Sequence, residues 1–365
     1  MALTKVDTSM VESSGAFGRR NILINGDFGI YQRAQQITGI GANASTYYTA
    51  DRWKMDMGGS NSGRVTMTAG TEDAPTESNV TTSLKLACTT ADTSIGAGEY
   101  FILVQQIEGF NLQQFKKGTS GAKQFTVSFF VKGNGSATYV VELYDNDNGR
   151  QISKTFAVTS SWSKVELTFP ADTTGAFGND ANASLNVAIW LHAGSDYTGG
   201  TLNSSAWAAQ TPANRAAGIS SFMSSTSNEL YITAVQLEVG DTATEFEILS
   251  YPERLALCQR YFQIFKGFGT SSAVMNHHNR TTTQRYGCLN LPVSTRISPT
   301  LGYSSLSDFI SFVASTSATP TAIVNQGSTG HSIEIYITTA ANGTAGQAGW
   351  LRVANGGYLT LDAEL

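Results

Sequence analysis

Few residues in this chain could do acid–base or metal chemistry. It holds four histidines, His192, His277, His278 and His331, and three cysteines, Cys88, Cys258 and Cys288. No H-E-x-x-H string, G-x-S-x-G elbow or Walker loop occurs. Converging nucleophile, base and metal-ligand sets are therefore not evident, and a non-enzymatic protein is expected. On a strand, His277 and His278 would point to opposite faces and could not chelate one ion, so solvated loop histidines are expected. The alternative is a metal on a trimer axis. Asp145-Asn146-Asp147-Asn148-Gly149 begins like a calcium loop, but Phe156 stands where the bidentate Glu is required. A hairpin turning at Asn148-Gly149 is expected instead. The cysteines lack C-x-x-C spacing and are expected to be buried reduced thiols.

Aromatic side chains offer a different chemistry, stacking against the apolar face of a pyranose. Strand alternation in 184–192 puts Val187, Ile189 and Leu191 on one face and Ala188, Trp190 and His192 on the other. In 139–144, Glu142 and Tyr144 oppose Val141 and Leu143, and in 125–132, Phe130 opposes Phe129 and Val131. If these three strands are sheet neighbours, Trp190, His192, Glu142, Tyr144 and Phe130 line one outer face as candidate glycan contacts. The competing expectation is that segment 198–228 or a neighbouring subunit covers that face.

The elements that must position these residues are strands. Period-2 alternation broken by Gly, Asn, Asp and Ser-Thr clusters predicts strands over 21–25, 82–88, 100–107, 125–132, 138–144, 152–158, 164–170, 184–192 and 230–239. Residues 198–228, rich in Gly, Ser, Ala and Asn, read as a long surface loop. Ser250-Tyr251-Pro252-Glu253 has capping-box form, and Leu255, Cys258, Phe262 and Phe265 fall on one helical face, predicting a helix over 251–265 stopped by Gly267. β alternation then resumes. The organisation expected is an arm over 1–20, a jelly-roll domain over 21–250, a linking helix over 251–267 and a smaller β-sandwich domain over 268–365.

Composition narrows the class. Charged residues make up 14% of the chain, against roughly 25% for soluble globular proteins, so its surface must be largely uncharged and polar. A net charge of −5 without a basic stripe argues against nucleic acid as a partner. No window approaches a membrane span, so membrane insertion is not expected. The opening residues lack an apolar signal region, giving the expectation of synthesis in a host cytoplasm and exit by lysis.

Several strings resemble bacteriophage tail-fibre and related virion proteins. Arg20-Asn21-Ile22-Leu23-Ile24-Asn25-Gly26-Asp27-Phe28, followed by Gln32-Arg33, is similar to the first motif of that group, and Tyr48-Thr49-Ala50-Asp51-Arg52-Trp53 to the next. Val235-Gln236-Leu237-Glu238-Val239-Gly240 with Ala243-Thr244-Glu245-Phe246-Glu247, then Leu255-Ala256-Leu257-Cys258-Gln259-Arg260-Tyr261-Phe262, follow in the same order. The leader Ala2-Leu3-Thr4-Lys5-Val6 and the ending Leu361-Asp362-Ala363-Glu364-Leu365 are similar too. The matches bracket nearly the whole chain. Read as residues alone, Asp51-Arg52-Trp53 is expected to set a buried tryptophan beside an ion pair.

The resemblance implies a jelly roll like those of carbohydrate-binding modules, followed by a trimer-forming or tip β-domain. It implies a virion tail-fibre subunit, a homotrimer, docked to a tail or adaptor protein through its N-terminal arm and binding a host surface glycan or receptor. Capsid decoration or a head fibre is the alternative, and a glycan-degrading tail enzyme a more distant one. Many carbohydrate-binding jelly rolls hold a structural calcium, and the resemblance makes Asp27 a candidate ligand. No other cofactor is expected.

Overall fold

The computed structural model describes residues 19–41, 43–314 and 316–365. Most of the expected docking arm, residues 1–18, lies outside the described residues. The chain divides into two compact units, one ending at Arg254 and also taking Leu365, the other spanning Leu255–Glu364.

The first unit contains β1 (Gln36–Ile40), β2 (Ser45–Tyr47), β3 (Lys54–Gly58), β4 (Arg64–Thr71), β5 (Ser83–Thr90), β6 (Tyr100–Glu108) and β7 (Phe125–Gly133). It continues with β8 (Ala137–Asp145), β9 (Arg150–Val158), β10 (Ser163–Phe169), β11 (Ala183–Ala193), the short helix α1 (Ser195–Thr198), β12 (Ala208–Ala209) and β13 (Glu229–Val239). These strands build a six-stranded sheet, β1-β4-β5-β13-β7-β10, and a seven-stranded sheet, β12-β9-β8-β11-β6-β3-β2. Side chains alternate along each strand, so Phe129 and Val131 of β7, Ile232 of β13, Val141 of β8 and Ile189 of β11 all enter one core with Trp53 and Phe101. The fold is an all-β jelly-roll sandwich.

Residues 21–25 do not form the expected strand. They make a turning segment whose polar groups are used singly: the Ile22 amide donates to Leu237 O, and the Ile24 amide to the Gln105 side chain. Gly26 lies against β13, where a β-carbon would stand 2.1 Å from Val235 O, so only glycine fits.

The strings that carry the resemblance converge in two buried hydrogen-bonded knots. In the first, Asn25 bridges Ile30 O and Asp51 O, Gln32 donates to the Asp51 carboxylate, Arg33 stands 3.7 Å from it, and the indole of Trp53 donates to Asn25 O. Trp53 is fully buried, as its string predicts. In the second, Gln236 and Glu238 on β13 are capped by Thr244 and by the Glu247 amide, while the amides of Arg20 and Asn21 donate to the Glu247 carboxylate. Both knots satisfy buried main-chain groups, which makes them fold determinants.

A third buried cluster involves charge. The Lys117 ammonium lies 2.6 Å from Asp145 and 3.1 Å from Asp172, and donates to Thr174 O and Gly175 O. Arg150 forms a forked pair with Asp172. Two cations thus neutralise two carboxylates where Lys117 and Asp145 are sealed from solvent. The loop from Asp145 to Arg150 is a four-residue hairpin loop, longer than the expected turn at Asn148-Gly149, because the Asp145 carboxylate captures the amides of Asp147 and Asn148.

The predicted capping box is formed: both the amide and the hydroxyl of Ser250 donate to Glu253 at the start of α2 (Tyr251–Gln259). The helix ends at Gln259, short of the expected limit of 265. Phe262–Lys266 is instead β14, paired with β23 (Tyr358–Asp362), because this aromatic-rich run finds ladder partners that outweigh its helical spacing.

The second unit continues with β15 (Ser271–Asn279), β16 (Gln284–Asn290), β17 (Thr300–Tyr303), β18 (Phe309–Val313), β19 (Thr316–Ala318), β20 (Pro320–Ser328), β21 (Ser332–Thr339) and β22 (Ala348–Ala354). A three-stranded sheet, β14-β23-β17, and a seven-stranded sheet, β19-β18-β22-β15-β16-β21-β20, enclose a core of Phe309, Ile335, Leu351, Leu359 and their neighbours. His277 and His278 sit on β15, not in a loop, and alternate as strand geometry requires. His277 is buried against Ser311 and His278 is exposed. Cys88 and Cys258 are buried, but Cys288 points outward from β16, against expectation. No helix among the described residues is long and apolar enough to cross a membrane.

Candidate functional site

Four of the five expected platform residues share one face, and that face is covered. β8 and β11 are neighbours, with Ala188 opposite Glu142 and Asn186 opposite Tyr144, so Trp190, His192, Glu142 and Tyr144 share the outer face of the seven-stranded sheet. Phe130 does not join them, because β7 belongs to the other sheet. The segment following β11 folds over this face: Tyr197, Leu202, Ala216 and Ile219 pack with Trp190, Val140 and Ala188. Trp190 is 1% exposed and Glu142 fully buried.

Arg215 completes the closure. Its guanidinium forks onto both Glu142 oxygens at 2.8 Å, one of which also accepts the Trp190 indole N–H, and it lies over the Trp190 and Tyr144 rings. Burial alone would lower Arg215, but the Glu142 carboxylate more than offsets it and holds the group above its ordinary value. His192 is sealed as well, bonded through Nδ1 to Ser221. Burial pushes its pKa down against the pull of Asp92 and Glu99, which keeps it neutral. Glu142, Trp190 and His192 are therefore sealed beneath the covering segment, while Tyr144 is half-buried at its margin.

Asp27, the candidate calcium ligand, pairs one carboxylate oxygen with the Arg254 guanidinium, while its Oδ1 is buried without a hydrogen-bond partner. Among the described residues, no group of three or more His, Cys, Asp and Glu side chains is placed to hold a metal.

The open aromatic surface lies on the outer face of the six-stranded sheet, and Phe130 is part of it. Across adjacent strands run Lys85 on β5, Tyr231 on β13, Lys132 on β7 and Trp162 just before β10. Tyr231 stands between two ammonium groups, 5.2 Å from Lys85 and 4.7 Å from Lys132, and Lys132 is also 5.2 Å from the Trp162 ring. The Trp162 and Tyr231 rings meet edge to face at 6.4 Å. All are half-buried.

Charges cancel in pairs along this ladder. Lys132 and the Trp162 indole both donate to Asp73, and Lys85 lies 2.7 Å from Glu229, which also accepts the Tyr231 hydroxyl. The Lys132 hydrogen bond holds the Asp73 carboxyl below its ordinary value against the effect of burial. Burial works against the Lys85 ammonium, but Glu229 and Tyr231 outweigh it and raise its pKa.

Glu229 also lines a pocket of about 250 Å³ at the same end of the sandwich. Its walls are the β7–β8 turn, with Asn134 and Ser136, and the run holding Ser220, Ser221 and Ser224. The sequence reading missed Trp162 and Tyr231. The signal was present, since Tyr231 and Lys85 alternate against buried neighbours, but the cross-strand register that joins them could not be read.

No protein-family model matches the chain, and no curated protein matches it. Among solved structures it is similar to TmCBM61 in complex with β-1,4-galactotriose, at 10% identity and a TM-score of 0.30, covering 60% of this chain and 99% of that one. A family 11 carbohydrate-binding module from Clostridium thermocellum, in complex with a β-1,3-1,4-mixed-linked tetrasaccharide, is similar at 11% identity and a TM-score of 0.26, covering 58% and 99%. The enzymatically active domain of bacteriophage CBA120 tailspike protein 4 is similar at 12% identity and a TM-score of 0.29, covering 60% of this chain and 21% of that chain. Likenesses this weak assign neither ligand nor role.

Proposed function

We propose that this chain is a non-catalytic structural subunit of a bacteriophage particle, a tail-fibre protein that attaches to a host surface glycan. The observation that carries the glycan reading is the outward ladder Lys85–Tyr231–Lys132–Trp162 beside a hydroxyl-lined pocket. Rings held upright by flanking ammonium groups are preorganised, so little side-chain freedom is lost when a pyranose packs against them. Asp73, Glu229 and the serine hydroxyls supply hydrogen-bond partners for sugar hydroxyls. Paired charges make the ladder nearly neutral, which suits an uncharged sugar. The phage reading is supported by the ordered motifs along the chain, and a homotrimer would convert weak single sites into avidity.

The test has two arms. Purified chain is assayed on an array of host surface glycans beside Trp162→Ala and Tyr231→Ala, with melting curves run in parallel. Loss of at least tenfold in binding at unchanged stability is expected, and undiminished binding by both variants would refute the site. Imaging of the intact particle should place the chain on the tail, and density on the capsid would instead make it a decoration protein.

A further inference from the structure

The second unit carries a different aromatic surface. On the outer face of its seven-stranded sheet, Phe312 of β18 lies opposite Trp350 of β22, their rings nearly parallel at 6.0 Å. Two strands away, Tyr286 of β16 stands between His278 of β15 and Tyr336 of β21, at 6.4 and 5.1 Å. Trp350 is 36% exposed. The inward alternates of these strands fill the core, so the outward row is left over from packing.

The row carries cations. Arg352 stands 5.0 Å from the Phe312 ring and 5.8 Å from that of Trp350. Arg280 stands 5.3 Å from the Tyr286 ring and donates to its hydroxyl. Among the described residues no carboxylate pairs with either guanidinium, and Glu334 is the one acidic residue at the outward positions of β15, β16, β21 and β22. This contrasts with the ladder of the first unit, where each lysine is matched by a carboxylate.

We infer that this face binds an acidic polysaccharide, one whose pyranose rings bear carboxylates. Aromatic rings take the C–H face of a sugar, and a guanidinium fork takes a carboxylate in two hydrogen bonds. A uronic acid carries both features on one ring, and Arg352 stands directly beside the Phe312 and Trp350 rings, so one such sugar can meet both. Trp350 and Tyr286 are two strands and two residues apart, roughly 12 Å, or about two linked pyranoses. The two aromatic–arginine pairs thus repeat at a distance suited to successive acidic sugars of one chain. A neutral glycan would leave the cations unused, and a flat protein partner would not need their spacing.

Affinity electrophoresis of the full chain through gels containing polygalacturonate or dextran tests this. Retardation by polygalacturonate and not by dextran is expected, weakening as salt is added. Trp350→Ala and Arg352→Gln should each weaken the retardation at least tenfold, with melting curves confirming that both fold. Trp162→Ala should leave it unchanged, which separates this surface from the one proposed above. Equal retardation of Trp350→Ala, Arg352→Gln and the unaltered chain, or none by polygalacturonate, would overturn the inference.

Discussion

Replacing Lys117 by Met tests whether the buried charge cluster of the first unit is held by balance. The substitution keeps side-chain length and the contacts beside Phe177 and Trp207, but removes the ammonium shared by Asp145 and Asp172. Arg150 still serves Asp172, so the uncompensated charge falls on Asp145, whose remaining partners are amide groups. Breaking a buried pair from one side costs about 3–5 kcal/mol. At roughly 2–4 °C per kcal/mol for a unit of this size, melting should fall by about 6–20 °C.

Acid gives the assay its second dimension. Burial pushes the Asp172 carboxyl up, but hydrogen bonds from Arg150, Thr174 and Lys117 outweigh it and hold the pKa below its ordinary value. That contribution is present above the unfolded carboxyl value and is lost as pH falls through the folded one. The variant lacks the Lys117 part of that contribution, so the difference between the two chains shrinks as pH falls through the folded value of Asp172. Urea unfolding at pH 7 and at about pH 3, below the ordinary carboxyl value of 3.8, should therefore show a gap between unaltered and variant chains that narrows in acid. A gap below about 1 kcal/mol at pH 7, or one equal at both pH values, would refute the reasoning.

Arg215→Ala should strand Glu142 beneath its covering segment, costing about 3 kcal/mol and opening residues 195–220 to limited proteolysis; an unchanged digestion pattern would contradict that closure. His277 is held neutral, its pKa pushed down to about 4 by burial first and by Arg285 second. Because the unfolded ring takes up a proton near its ordinary value of 6.5, the second unit should keep its stability above that pH and lose it progressively toward pH 4. Urea titrations followed by Trp350 fluorescence should show that slope, and His277→Gln should flatten it.

The sandwich was legible because its core strands alternate cleanly: 125–132, 138–144 and 184–192 lie within β7, β8 and β11. β3 and β4 were missed although Met55 and Met57, then Val65, Met67 and Ala69, alternate just as well. The run Gly58-Gly59-Ser60-Asn61-Ser62-Gly63 between them interrupts the alternation. The helix was overextended because Phe262 and Phe265 satisfy helical spacing and strand pairing alike, and only the distant β23 decides between them. Sheet membership was illegible for the same reason. Phe130 and Trp190 look equivalent in alternation, yet one faces solvent beside Lys164 and the other lies under Arg215. The motif strings were legible as a group, while their work as interlocking main-chain knots required the folded register.

The placement of β13 has a consequence for how the chain is made. This strand comes last in the first unit, yet it sits in the middle of the six-stranded sheet, between β5 and β7. Until residue 239 has left the ribosome, β5 and β7 have no shared neighbour, and the amides of Asn21 and Ile22 have not met their partners near Leu237 and Glu247. Pairings across more than a hundred residues close slowly and leave strand edges open meanwhile. A nascent chain stopped before β13 should therefore be a substrate for chaperones and proteases, and truncations within the first 230 residues should yield no soluble smaller sandwich.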